Sequence, residues 1–91
     1  MNKGELIDAV AASTGESKRT VGDVLDSFIS HVQDEVKSGN KVSLPGFGTF
    51  EKRHRNARTG RNPQTGETIQ VAAADVPAFK PGAGFKSHVN G

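Results

Sequence analysis

The chain has 91 residues, enough for one domain, and no cysteine, which excludes disulfides, thiolate metal sites and thiol catalysis. Only 33% of it is apolar and its aromatics are five Phe with neither Trp nor Tyr, a small supply of core material that points to oligomerisation as a source of buried surface. The formal net charge is a modest +2; charged residues at positions 3, 5 and 8, and aliphatic runs no longer than the four residues of 71–74, argue against a signal peptide or a membrane span and make a cytoplasmic location the expectation.

Asn2 stands where an N-cap is wanted, with Glu5 three residues on to complete a capping box. Leu6, Ile7, Val10 and Ala11 follow as an apolar stripe at helical spacing, and Gly15 ends the helix. Ser17 caps a second helix, in which Val21, Val24, Leu25, Phe28, Ile29, Val32 and Val36 recur at three- and four-residue intervals for about five turns. Ser38-Gly39-Asn40 stops it. That stripe is broad for so short a chain. Phe28, Ile29, Val32 and Val36 are therefore expected to form the helical part of a dimer core, covered by a second copy.

Beyond Gly39 the period drops from helical to two. Residues 41–44 alternate as a short strand, Pro45-Gly46 reads as a turn, and residues 47–55 form a second strand, with Gly48 hinting at a bulge or bend near its start. Residues 56–67 carry loop signals at Gly60, Asn62-Pro63 and Thr65-Gly66. Extended character resumes over residues 68–73 through Ile69 and Val71, and again in a short piece at residues 76–79. Pro81-Gly82 then opens a last helix in which Phe85 and Val89 sit four apart. The expected fold class is α+β: a helical base, a three-stranded antiparallel sheet, a long β-ribbon arm over about residues 52–74, and a C-terminal helix. The arm has no core face, and a two-stranded ribbon is marginal in water, so it is expected to be mobile until something binds it. Phe47, Phe50 and Phe79 lie outside the arm and are expected in the core rather than stacked on bases.

Charge is unevenly spread along this framework. Up to Pro45 five cations face seven carboxylates; from Gly46 onward seven cations face three, and every arginine but Arg19 falls between positions 53 and 61. A concentrated positive segment on a near-neutral body is the footprint of a polyanion ligand. Arg53 and Arg55, two apart on a strand, point to one side, and Arg58 and Arg61 continue the positive line toward the arm tip. Guanidinium forks suit phosphate oxygens and can enter a narrow minor groove. The bland alternative is a solvated charged hairpin, but only Glu51 and Glu67 lie near enough in sequence to neutralise it. Asn62-Pro63 reads first as turn chemistry and second as a rigid apolar wedge beside arginines. His31, His54 and His88 share no ligand-like spacing, so no metal is expected, and His54 falls on the opposite side of its strand from Arg53 and Arg55. No Ser/His/Asp grouping has a context that would activate a nucleophile, and Gly46-Phe47-Gly48 is too short for a dinucleotide fingerprint. Neither catalysis nor a cofactor is expected.

Three stretches together resemble a known family. Gly46-Phe47-Gly48-Thr49-Phe50-Glu51, the run Arg58-Thr59-Gly60-Arg61-Asn62-Pro63-Gln64-Thr65-Gly66-Glu67, and Val76-Pro77-Ala78-Phe79-Lys80-Pro81-Gly82 are similar to segments of the bacterial HU and integration host factor family, and the likeness extends from Met1 to Asn90. The resemblance implies an intertwined homodimer with a helical base and a saddle of strands, in which residues 1–45 supply the dimerisation region and first strand. Phe47, Phe50 and Phe79 would then complete the dimer core. Two arms would wrap the minor groove of double-stranded DNA, lined by Arg53, Arg55, Arg58 and Arg61, with Asn62 and Gln64 at the tip and Pro63 as the intercalating residue. Lys3, Lys80 and Lys86 would touch flanking phosphates. It further implies a nucleoid-associated protein that bends duplex DNA with little sequence preference and favours distorted DNA. Ala83, where relatives often carry lysine, together with Gln70 and Asp75, makes the flanks less basic than in some relatives. No lysine-rich tail is seen, so compaction driven by such a tail is not expected. Two rival readings differ in ligand: a sequence-preferring bender like integration host factor, which would have to read deformability because no helix suits the major groove, and an RNA-binding basic hairpin, which would meet a wide, shallow minor groove that a paired clamp fits poorly.

Overall fold

In the computed structural model, which describes residues 1–91, the backbone divides into two compact units, Met1–Asp34 and Glu35–Gly91. The first holds helix α1 (Lys3–Thr14) and most of helix α2 (Lys18–Lys37). Asn2 caps α1 as its side chain implies: Oδ1 accepts from the Glu5 amide at 2.9 Å, satisfying one of the amides that a helix start leaves free. Gly15 closes the helix in the left-handed region (φ 77°), its amide donating to the Ala11 carbonyl at 2.9 Å. Ser17 then caps α2, its hydroxyl oxygen accepting from the Thr20 amide at 3.1 Å.

Between α1 and α2 runs an apolar groove of about 340 Å³, lined by Leu6, Ile7, Val10, Val21, Val24, Leu25 and Phe28. Apolar residues of the two helices have come together along it, yet the groove stays open. In the whole chain only Ala11, Val21 and Val36 are buried among the apolar residues, while Val24 is 64% exposed and Phe28 and Ile29 are 41% and 40% exposed.

The second unit begins with the end of α2, where Gly39 (φ 89°) turns the chain and Asn40 returns an amide to the Glu35 carbonyl. Strands β1 (Val42–Leu44), β2 (Gly48–Arg55) and β5 (Ala74–Pro81) form an antiparallel sheet in the order β1-β2-β5. Strands β3 (Arg58–Arg61) and β4 (Thr68–Val71) form a separate two-stranded ribbon, inserted between β2 and β5, and helix α3 (Ala83–Asn90) follows. Phe50 pairs with Phe79 across the sheet, and their rings lie 4.9 Å apart; Phe47 sits 5.2 Å from Phe79 and stacks on Phe85 of α3 at 5.3 Å. Four of the five phenylalanines thus make one cluster on one side of the sheet. Even so, Phe47 and Phe79 stay 43% and 38% exposed.

Several expectations change in detail. Gly48 is no bulge: it is paired with both Leu44 and Pro81 and is buried, because a Cβ there would run into the Phe79 ring and lie 2.7 Å from the Lys80 carbonyl oxygen. Phe47 belongs to the preceding turn rather than to β2, its amide donating to the Leu44 carbonyl at 2.9 Å with Gly46 at φ 84°. The extended piece expected at residues 76–79 is the middle of an eight-residue strand, and Pro81 ends that strand while Gly82 caps α3. Pro81 is tolerated because β5 lies at the sheet edge. Val89 does not share Phe85's cover, being 71% exposed.

The chain exposes 7155 Å², against about 5,100 Å² for a compact monomer of 9.6 kDa. An open groove and a half-covered phenylalanine cluster cannot be a finished core. A second chain is expected to cover them: sedimentation at micromolar concentration should give a dimer, and the melting temperature should rise with protein concentration. A folded monomer whose melting temperature is independent of concentration would contradict this.

Candidate nucleic-acid interface

Side chains on a strand alternate between faces, and directly paired residues of an antiparallel ladder share one. The face opposite the phenylalanines is therefore set by register. Thr49 pairs with Lys80, Glu51 with Ala78, Arg53 with Val76 and Arg55 with Ala74. Arg53, Arg55 and Lys80 consequently share a face, with small or β-branched neighbours that leave them standing clear. Lys41 joins them, since its Nζ lies 3.9 Å from Glu51 Oε2, and Arg53 Nη2 lies 3.3 Å from Glu51 Oε1. Glu51, its side chain only 13% exposed, is thus held between two cations. Glu51 stands beside the arginines as its place in the sequence implies, whereas Lys41 was not expected at this face. Only the pairing of the neighbouring Val42 with Phe50 reveals that β1 delivers Lys41 beside β2.

Along the ribbon, Arg58 pairs with Val71, Thr59 with Gln70, Gly60 with Ile69 and Arg61 with Thr68. Arg58 and Arg61 are three residues apart, so they project from opposite faces instead of continuing a single line. At the tip, the Asn62 amide donates to the Glu67 carbonyl at 2.8 Å, the Gly66 amide returns to the Asn62 carbonyl at 2.7 Å, and Asn62 Oδ1 accepts from the Gln64 amide at 2.9 Å. Gly66 takes φ 73° to close the loop. Asn62 is half-buried by these bonds, whereas Pro63 and Gln64 are exposed at the turn. Asn62 therefore builds the tip and Pro63 is what the tip presents.

Arg55, Arg58, Arg61, Lys80 and Lys86 make no ion pair, whereas Arg53 shares Glu51. Lys86 lies on α3. Lys3, in the helical unit, is engaged with Asp26 at 2.6 Å, and Lys18 with Asp8 at 3.1 Å; both pairs are solvent-exposed and contribute little to stability.

The phenylalanine-side face has polar contacts of its own at the root of the arm. His54 pairs with Asp75 in register, and His54 Nδ1 donates to Asp75 Oδ1 at 2.9 Å. Lys52 Nζ lies 3.7 Å from Asp75 Oδ2 and donates to the Lys37 carbonyl, in the last turn of α2, at 3.1 Å. His54 thus lies opposite Arg53 and Arg55, as alternation requires, and faces a carboxylate. His31 donates to the Ser27 carbonyl of its own helix at 2.8 Å.

The hydrogen bond from His54, and then the charge of Lys52, hold the Asp75 carboxyl below the ordinary carboxylate value. A carboxyl lowered on folding contributes stability above its unfolded value, and that contribution is lost as pH falls through the folded one. Carboxyl chemical-shift titration should find Asp75 titrating below 3.8, and His54→Ala should move it upward more than Lys52→Met does. A larger response to the lysine change would reverse this ranking of causes.

Comparison with known proteins gives a consistent result. Residues 1–90 match the family model described as bacterial DNA-binding protein. The chain is 52% identical over 90 residues to DNA-binding protein HU-beta of Serratia marcescens, spanning 99% of this chain and 100% of that protein. It is 52% identical over 91 residues to DNA-binding protein HU 1 of Bacillus subtilis, spanning 100% and 99% respectively. Among solved structures, the Anabaena HU–DNA cocrystal structure superposes with a TM-score of 0.90 at 47% identity, covering 98% of this chain and 97% of that one. HU from Thermotoga maritima gives a TM-score of 0.70 at 32% identity, covering 98% of each.

Proposed function

The chain belongs to the HU family of bacterial DNA-binding proteins, and on that premise we propose that its arginine-bearing sheet face and arm bind duplex DNA along the minor groove and bend it. It is a nucleoid-associated architectural protein, a homodimer whose partner is double-stranded DNA and whose role is structural rather than catalytic. The observation that carries the assignment of its site is the register of β2 on β5. That register gathers Arg53, Arg55 and Lys80 on the side away from the phenylalanine cluster, where a polyanion can reach them without disturbing the core.

Each part of the site has a physical role. Arg55, Arg58, Arg61 and Lys80 have no carboxylate partner to give up, so they meet phosphate at little internal cost; Arg53 has to exchange Glu51 for phosphate. Lys86 and Lys3 add flanking contacts, Lys3 after leaving Asp26. Asn62 and Gln64 shape the tip, and Asn62 does so through its own turn. Pro63 lacks a backbone N–H and carries a rigid apolar ring, so it enters a base step without burying an unsatisfied donor. Apolar wedging that kinks the duplex is a mode of which this family is itself a known example. The loose sequence requirement follows because phosphates carry no sequence information and no helix is offered to the major groove. Nicked or gapped DNA has already lost stacking, so it is cheaper to kink and is bound in preference.

Salt tests the phosphate contacts. Log affinity should fall linearly with log salt, and Arg58→Ala should reduce the slope by about 0.9 for each phosphate left without its cation, counted once per engaged arm, while weakening all duplex sequences alike. Weakening confined to one sequence, or a slope equal to the parent's, would remove Arg58 from the interface.

Energy transfer across end-labelled DNA tests the wedge. Pro63→Ala should bend DNA less and bind nicked and intact duplex more nearly alike, while keeping most of the salt-dependent affinity. Arg61→Ala should instead weaken both duplexes together. Full bending and an undiminished preference for nicks in the proline variant would leave Pro63 as a turn residue only.

A further inference from the structure

The side of the three-stranded sheet that carries Arg53, Arg55 and Lys80 also carries a carboxylate. Only Glu51 and Asp75 are acidic among the residues of β1, β2 and β5. Register sends Asp75 to the phenylalanine side beside His54, and Glu51 to the arginine side beside Ala78. Each oxygen of Glu51 meets a different cation: Arg53 Nη2 donates to Oε1 at 3.3 Å, and Lys41 Nζ lies 3.9 Å from Oε2. Ala78, small and directly opposite, leaves the carboxylate room to lie along the strand. The Glu51 side chain is 13% exposed, against 70% for Lys41 and 56% for Arg53, so an incoming ligand meets the cations first and the carboxylate beneath them. Pairs with such exposed cations stabilise a fold little, so stability does not account for a negative charge set into a face that receives a polyanion.

We propose that Glu51 is a built-in competitor for phosphate: it cancels part of the charge of Lys41 and Arg53, and so keeps the hold of the sheet face on the duplex weak and easily released. This rests on the reading that the face binds DNA, and adds the residue that limits how tightly. Two effects of Glu51 oppose each other, and magnitudes decide between them. Holding two cations in place would help a ligand bind. Contacts of 3.3 and 3.9 Å to side chains more than half exposed leave both cations free to move, however, so little ordering is lost without them. Charge acts the other way and needs no rigidity. A phosphate oxygen one ordinary hydrogen bond of ~2.9 Å beyond the Arg53 guanidinium would lie about 6 Å from Glu51. At that distance two like charges repel enough, even at the dielectric constant of water, to weaken binding roughly threefold. It is also inside the Debye length of ~8 Å at physiological salt, so screening does not remove the effect. The restraint falls on Lys41 and Arg53; Arg55 and Lys80, with no carboxylate partner, are spared it.

Salt titrations of duplex binding test this. Glu51→Gln keeps the shape of the side chain and removes its charge. It should bind intact and nicked duplex alike, each roughly threefold more tightly per engaged sheet face. The slope of log affinity against log salt should steepen by up to about 0.9 per face, because a freed cation releases one more counterion. Glu51→Ala, small beside Ala78, should repeat the gain without an amide, and Glu51→Asp, which keeps the charge, should stay near the parent in affinity and slope. Asp75→Asn removes the same charge from the opposite side of the sheet and should gain less. Neutral variants that bind no more tightly than the parent, with an unchanged slope, would overturn the proposal. So would an equal gain in Asp75→Asn, which would assign the effect to net charge alone. Both results leave the DNA-binding reading intact. A parent protein whose duplex affinity does not respond to salt would instead bring down that reading and the proposal with it.

Discussion

Phe50 faces Phe79 across β2 and β5, and that single cross-strand pair decides where Arg53, Arg55 and Lys80 point. Because side chains alternate, turning this pair toward the core sends Arg53, Arg55 and Lys80 to the other side. A slip of one residue would put the arginines against the phenylalanine rings and the rings in solvent, so the core guards the register of the arginine face. Gly48 supports the same pair from below. Only a residue without a Cβ lets the Phe79 ring and the Lys80 carbonyl close over β2 at that point.

The two demands on so small a chain are met by dividing the labour. The sheet face away from the phenylalanines and the arm are polar or thinly apolar, and contribute almost nothing to stability. Burial has to come from the α1–α2 groove and the phenylalanine cluster, both left half-open by one chain. Dimerisation therefore does two things: it completes the core, and it supplies a second arm. Binding energy gained by two arms on one duplex exceeds what either supplies, provided both reach the groove together.

The root of the arm shows how local charge is kept in order. Lys52 and His54 hold Asp75 on the phenylalanine side, so the one carboxylate of β5 is spent on its own face and does not neutralise Arg53 or Arg55. Glu51 does the reverse. It sits within the cationic face, ordering Lys41 and Arg53 and offsetting part of that face's positive charge. The unpaired arginines lie farther out, at Arg55, Arg58 and Arg61.

Much of this was legible in the sequence. Caps and period marked both long helices: Asn2, Gly15 and Ser17 act locally, and a helix is decided within a few turns of its own residues. The clustering of arginines between positions 53 and 61, and the turn built by Asn62-Pro63, were equally local, and so was the resemblance of those residues to a family. What depended on pairing was not. That Gly48 marks a close approach rather than a bulge, that β5 runs unbroken over Ala74–Pro81, and that Lys41 comes beside Glu51 all follow from a register between strands distant in the chain. The separation of Arg58 from Arg61 onto opposite faces, and the gathering of Ile69 and Val71 on one, are likewise consequences of β3 meeting β4. Composition and period state which residues want water and which do not; only the tertiary structure, by choosing one pairing among several, states which of them stand together.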